Sequence, residues 1–505
     1  MILDTLLIGL FRLFSLQNML ICFGGTLIGT IFGALPGFTA SMGVAVLLPF
    51  TYYMSPEGGL LLMASLYVGA MYGGSIPAIL MSTPGTPGAA ATVLDGYIMA
   101  KNGQADLALA ISMSSSAVAG LIGGVILCLG GPLLSFYAMK ISPGEIFVVI
   151  LLGIIILGNL AAEDPAKGFM GGILGMLLGT VGADFTEGFY RFTFGVTELL
   201  EGLPLVSTLV GLLALSECFS MVREQSGKPL TAIVFDFSYR RVLKEMWKTV
   251  AGAYAKATYL GTFIGCVIGI IPGEGAAVAN FVAYDQAKRL SRRPELFGKG
   301  SPEGVASPEA ANNSVVPLAL LPALALGIPG SSTAALILAG AMMHGVRPGP
   351  GVFQRHPDVM GVLLIGILVS SLLQILVGLL LVRPSVKLAQ IKPTILAGVV
   401  LFLGVIGVYS LFYRTFDIGC MMGFALLGYG LKCAGIPPVT AVVGFVLGPL
   451  LERNFTTALS ISGGSYEIFF LRPIAAILWV IIIFSLVYPW WRSRKTRLER
   501  EAAER

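Results

Sequence analysis

Histidine is nearly absent from this chain: two occur in 505 residues, His344 and His356, both in one Gly/Pro-rich stretch. That count excludes a histidine metal site and an HExxH metalloprotease. The six cysteines, Cys22, Cys128, Cys218, Cys266, Cys420 and Cys433, stand singly in or beside apolar segments with no CxxC spacing. They read as packing thiols, not as disulfides or metal ligands. Charge is scarce as well, at 12% of residues, where a soluble domain carries about 25%. From residue 13 to residue 100 there is no Lys or Arg, and the only acids are Glu57 and Asp95. Lys and Arg are absent again from residue 257 to 287 and between Lys299 and Arg347. No GxSxG elbow occurs either, so an intramembrane enzyme would lack its nucleophile and base.

What is present is hydrophobic: 56% of residues, with a mean hydropathy of +0.87. At about 20 residues per crossing there is room for roughly a dozen spans, and the expected class is an all-α polytopic membrane protein surrounded by lipid. Residues 1–15 have no small-residue cleavage site after a basic start and read as an amphipathic or first membrane helix, not a signal peptide. Asp95-Gly96-Tyr97 and Lys101-Asn102-Gly103 read as a polar connection between spans.

One stretch is written twice. Residues 25–37 read GTLIGTIFGALPG and residues 261–273 read GTFIGCVIGIIPG, identical at seven positions with an offset of 236. Pro77-Ala78-Ile79 with Pro84-Gly85 is answered by Pro322-Ala323-Leu324 with Pro329-Gly330 at an offset of 245. This is an internal repeat. Each half thus holds two apolar segments that end on Pro-Gly, where proline cannot continue a helix and glycine tolerates the backbone angles that stop one. Paired broken helices in corresponding positions of two halves point to a transport site. The loop after the first copy, 52–59, has no basic residue, while its counterpart carries Lys288, Arg289, Arg292, Arg293 and Lys299. Opposite charge character favours inverted repeats over parallel ones. The division expected is a first membrane repeat with its N-terminal helix (1–222), a basic cytoplasmic linker (223–256), a second repeat (257–489) and a basic cytoplasmic tail (490–505) after Trp490-Trp491.

A helix restarting after a break presents free N–H groups and its positive dipole end, which suit a carboxylate. Pro36, Gly37 and Thr39, then Ser82, Thr83, Pro84, Gly85 and Thr86, and finally Pro329, Gly330, Ser331, Ser332 and Thr333 are therefore the expected substrate-binding positions. Carbonyls left at the end of the preceding helix suit Na⁺, which makes Pro272 and Gly273 cation candidates. Glu309, Asn312 and Asn313, an acid and two amides in apolar surroundings, join them. The competing readings are a plain kink at each junction and a helix cap or interhelical hydrogen bond for the E-A-A-N-N cluster. Asp95 and Glu303 are as readily solvated turn residues as site residues.

Ala34-Leu35-Pro36-Gly37, Tyr72-Gly73-Gly74-Ser75, Pro84-Gly85-Thr86-Pro87, Asp95-Gly96-Tyr97, Pro308-Glu309-Ala310-Ala311-Asn312-Asn313, Gly327-Ile328-Pro329-Gly330 and the string from Phe297 to Gly304 resemble the large membrane subunit of the tripartite tricarboxylate transporters, TctA. The resemblance implies a multi-pass subunit of the bacterial inner membrane that takes up carboxylates with a cation gradient. It also implies two partners, a small membrane subunit and a periplasmic solute-binding protein. Citrate is the first substrate expected among several carboxylates, and Na⁺ is the coupling ion expected, with no other cofactor. No nucleic-acid partner is expected. A stand-alone carboxylate transporter is the alternative reading, and a proton-coupled one would turn on Glu309 or Glu274.

Overall fold

The computed structural model describes residues 2–160, 165–184, 188–223, 239–271, 275–388 and 390–486. Much of the expected linker (224–238), the Pro272-Gly273-Glu274 junction and the Trp490-Trp491 tail lie outside them. In chain order come α1 (Ile2–Leu13), α2 (Leu16–Gly33), α3 (Ala40–Thr51), α4 (Pro56–Gly73), α5 (Ser75–Met81), α6 (Thr92–Lys101) and α7 (Ala105–Ala138). Then follow α8 (Pro143–Leu160), α9 (Pro165–Gly179), α10 (Leu205–Leu209), α11 (Ser216–Arg223) and α12 (Tyr239–Val250). The remainder is α13 (Ala255–Ile270), α14 (Gly275–Leu290), α15 (Glu303–Leu326), α16 (Ser332–Met343), α17 (Val352–Arg355), α18 (Pro357–Leu388), α19 (Pro393–Phe412), α20 (Thr415–Cys433) and α21 (Pro438–Ile461). Among the described residues the only strands are Gly182–Ala183 and Tyr190–Arg191, paired antiparallel. The fold is all-α and polytopic.

Among the described residues eight segments are long and apolar enough to cross a membrane, and α12 with α13, bent by 63°, would add a ninth. Four shorter apolar helices accompany them, including α3 and α16. The difference from the dozen or so crossings that length alone allows matches these four shorter apolar helices, of which α3 and α16, bounded by the breaks, are 12 residues long each. One correction concerns polarity. Asp95 lies inside α6 and is fully buried, not in a solvated connection. Residues 303–314, polar in composition, form the first half of α15, which runs straight through Pro308, Pro317 and Pro322.

The chain forms two compact units, Met1–Phe136 with Leu205–Tyr429, and Tyr137–Pro204 with Gly430–Arg505. In the second, α9 meets α21 through Gly175 against Ala441 and Gly444 against Gly172. Arg191 there pairs with Glu452 at 2.6 Å. In the first, the α4–α5 segment and α15 are the core: 94% of the apolar window of each is buried, against 33–67% for the other spans.

Those two core segments are each gripped by a glycine-lined helix. On α2, a Cβ at Gly25, Gly29 or Gly33 would run into Leu62, Leu66 or Ala70 of α4. On α13, a Cβ at Gly261, Gly265 or Gly269 would run into Ser307, Ala311 or Val315 of α15. The glycines repeat at the sequence offset of 236 and their partners at 245. Glycine every fourth residue lets backbones approach closely, the main source of packing where lipid removes the hydrophobic drive between helices. Gly29→Ala is expected to cost about 1–3 kcal/mol through overpacking, because the methyl would meet the Leu66 carbonyl and backbone. Gly24→Ala, five residues away on the same helix with nothing within 4 Å, should stabilise by up to about 1 kcal/mol; thermal unfolding of the two purified variants checks the contrast.

Candidate functional site

Each half breaks its core segment in the same way. Ser82 ends α5 in the left-handed region (φ 58°), and Gly327 ends α15 there too (φ 79°). The Thr83 N–H reaches back to the Pro77 carbonyl and the Ile328 N–H to that of Pro322. Gly85 then donates to the Gly74 carbonyl at 3.0 Å, and Gly330 to that of Ala319 at 3.2 Å. Every one of these pairs is related by the offset of 245. Glycine is required at the fourth break position because a Cβ at Gly85 would sit on the Gly33 carbonyl, and one at Gly330 only 2.8 Å from the Ala319 Cα.

Beyond the breaks the halves exchange partners. Ser331 caps α16, accepting from the Ala334 N–H at 3.1 Å, and its hydroxyl meets the Tyr67 hydroxyl of α4 at 3.2 Å. Thr86 leads into a turn of 3₁₀ helix, Pro87–Ala89, which packs on α14 and α15 of the other half. Asn280 of α14 donates from Nδ2 to the carbonyls of Gly88 (2.6 Å) and Pro87 (3.1 Å). Asn312 of α15 donates from Nδ2 to the Met71 carbonyl at 3.0 Å, and its Oδ1 lies where a Cβ on Gly88 would fall. Tyr67, Met71 and Gly74 are spaced to share one face, so one stripe of the α4–α5 segment contacts the Ser331 break, Asn312 and Thr86 in succession.

α15 sends its other two polar groups elsewhere. Glu309 is fully buried and its carboxyl accepts the hydroxyls of Thr92, Ser112 and Ser116, the latter two at 3.2 Å each. Ser112 and Ser116 are four apart on α7 and so share a face; Ser112 is also 2.6 Å from Ser75. A carboxylate only accepts, and three hydroxyls aimed at it fill that role. Asn313 donates to Gln374 of α18 at 3.1 Å. One residue along a helix turns about 100°, which is why neighbouring Asn312 and Asn313 face different partners.

The expected substrate set is therefore divided. Gly85 and Thr86 are buried, Thr83 and Pro84 partly so, and Ser82 is exposed. Pro329, Gly330 and Thr333 are buried, with Ser331 and Ser332 half-buried. Pro36 is buried, Gly37 is exposed at φ 80° against Met221, and Thr39 caps α3 through the Met42 N–H; among the described residues this junction does not join the Asn312 contacts. Pro272 and Gly273 lie outside the described residues. Asn280, Thr92, Ser112, Ser116, Gln374 and Tyr67 escaped the reading of the sequence, although each is a lone polar group, or part of a short serine run, in an apolar helix.

Asp95 serves another end. Its Oδ1 accepts the N–H groups of Gly298 (2.9 Å), Gly300 (2.7 Å) and Ser301 (2.8 Å), and its Oδ2 accepts the Tyr284 hydroxyl at 2.8 Å. Consecutive N–H groups curled around an anion form a nest, here made by glycines at φ 79° and 101°. The Asp95-Gly96-Tyr97 motif and the string from Phe297 to Gly304 are thus two sides of one clasp between α6 and the entry to α15. Among the described residues no cluster of three or more His, Cys, Asp or Glu could hold a metal.

No solved structure matches the chain. An uncharacterized 52.8 kDa protein from the TAR-I ttuC' 3' region of Agrobacterium vitis is 35% identical over 490 residues, 95% of each chain. A second uncharacterized protein, from the TAR-II ttuC' 3' region of the same organism, is 35% identical over 238 residues, covering 46% of this chain and 98% of its own. The model of the tripartite tricarboxylate transporter TctA family matches residues 19–443. The chain belongs to the TctA family, as a membrane component of tricarboxylate transport.

Proposed function

We propose that the chain is the large transmembrane subunit of a binding-protein-dependent secondary transporter, taking up a tricarboxylate such as citrate across a bacterial inner membrane with Na⁺. A small membrane subunit and a periplasmic solute-binding protein complete it, and the C-terminus is cytoplasmic. The observation that carries this reading is the crossing of two broken helices on the buried α4–α5 and α15 pair, where the break of each half meets a polar side chain of the other. Recurrence of the break geometry at one offset, with partners exchanged between halves, supports two related repeats, and the opposite charge character of the matching loops favours their inversion.

In this reading the substrate carboxylate sits at the second break. α16 restarts there with its N–H groups and positive dipole end beside the hydroxyls of Ser331, Ser332 and Thr333, a set that favours an anion. Electrical balance calls for a coupling cation. A trianion entering against about 100 mV costs close to 7 kcal/mol, and the residues around both breaks include no Lys or Arg to offset it. About three co-bound cations bring the trianion to neutrality and a fourth makes uptake field-driven.

Two outcomes are expected. In vesicles carrying the full complex and binding protein, uptake requires a Na⁺ gradient; uptake that follows only the proton gradient contradicts Na⁺ coupling and shifts the role to Glu309, and full uptake without the binding protein contradicts the tripartite assembly. Ser331→Ala removes the cap at the second break, worth about 1 kcal/mol, and should raise half-saturating substrate roughly fivefold while half-saturating Na⁺ stays unchanged.

A further inference from the structure

We infer that Thr86, Asn280 and Asn312 form the binding site for one coupling Na⁺ at the first break, an inference that rests on the Na⁺-coupled reading above. Three oxygens bordering the stretch Thr86–Gly88 are buried and without a hydrogen-bond partner: Thr86 Oγ1, Asn280 Oδ1 and Asn312 Oδ1. Thr86 is 2% exposed and the two asparagines 0%. A buried acceptor left unmet costs stability, and such groups call for a water or an ion.

The two amides are held in one orientation. Asn280 spends its Nδ2 on the Pro87 and Gly88 carbonyls and Asn312 spends its Nδ2 on that of Met71. Turning either amide over would forfeit those bonds, so Asn312 Oδ1 is fixed against Gly88 and Asn280 Oδ1 is fixed on the amide that holds Pro87 and Gly88. The segments that carry these groups, residues 13–100, 257–287 and 300–346, contain no Lys or Arg to supply the charge. Neutral hard oxygens without a carboxylate among them suit a monovalent cation; divalent calcium and magnesium sites are built on carboxylates. The nearest acid on α15, Glu309, is one turn away and already engaged by three hydroxyls.

The repeat explains why the site occurs once. At the same offsets, Thr86 corresponds to Ser331, Asn312 to Tyr67 and Asn280 to Val44. The second break therefore carries two hydroxyls that bond each other and no amide oxygen. One break takes the cation and the other the carboxylate. A cation held by Thr86 from the first half and by two asparagines from the second also ties the halves together, so its occupancy depends on their approach.

Thr86→Val tests this sharply, because it deletes a hydroxyl that makes no hydrogen bond while keeping the shape of the side chain. In the full complex, half-saturating Na⁺ for uptake should rise about tenfold, half-saturating substrate at saturating Na⁺ should not move, and Thr86→Ser should restore Na⁺ affinity. The purified Thr86→Val chain should stay folded yet lose the thermal stabilisation that NaCl, relative to choline chloride, confers on the wild type. Asn312→Asp should hold or lower half-saturating Na⁺. A Na⁺-responsive wild type with an unchanged Thr86→Val response overturns the site and leaves a buried water in its place. A wild type with no Na⁺ response overturns the coupling reading and the site with it.

Discussion

A backbone group released inside a bilayer has no water to turn to, and that constraint governs the larger unit of this molecule. Breaking a core segment beyond Met81 or Leu326 frees N–H and C=O groups that protein must satisfy. The chain answers by curling each break back onto its own helix, through Gly85 to Gly74 and Gly330 to Ala319. Such tight returns are open only where side chains are absent. The glycine ladders of α2 and α13 meet the same need from outside, pressing backbone against the segments that break.

Satisfying the breaks locally leaves their distal ends to be met by the other half. α3 packs on α16 while α14 packs on the Pro87–Ala89 turn, and these two pairings are counterparts under the repeat. Tyr67 reaches the Ser331 break from the first half; Asn312 reaches the Thr86 break from the second. The same exchange that closes the core thus collects polar atoms from both halves at its centre. Divergence between the counterparts, hydroxyls at one break and amides at the other, then permits ligands of opposite charge at two related places.

The broken helices and their recurrence were legible in sequence because a helix seldom continues into a following proline, so α5 and α15 end shortly before Pro84 and Pro329. Glu309 and Asn312 were legible because polarity is rare at depth. Which neighbour each would face was not, since that depends on helix rotation and on the exchange between halves: Asn312 and Asn313 look alike in sequence, yet one meets the first break and the other Gln374. Asp95-Gly96-Tyr97 resembles a solvated turn, and only the distant glycine nest at residues 298–301 makes a buried helical position tolerable for its charge. Asn280 and the serines of α7 carry no motif, and long-range packing alone reveals them.

The exchange between halves is the claim on which the rest depends, and a disulfide measures it directly. A Cβ at Gly88 would lie 2.9 Å from the Asn312 Cγ, a separation that places the two Cβ atoms close to the roughly 3.5–4.5 Å that a disulfide needs. Gly88→Cys with Asn312→Cys, with the six native cysteines replaced and a protease site inserted within residues 224–238, should cross-link on oxidation. The cleaved halves then migrate as one band until reduced. Halves that separate after oxidation, with both engineered thiols still free to react, would contradict the exchanged arrangement.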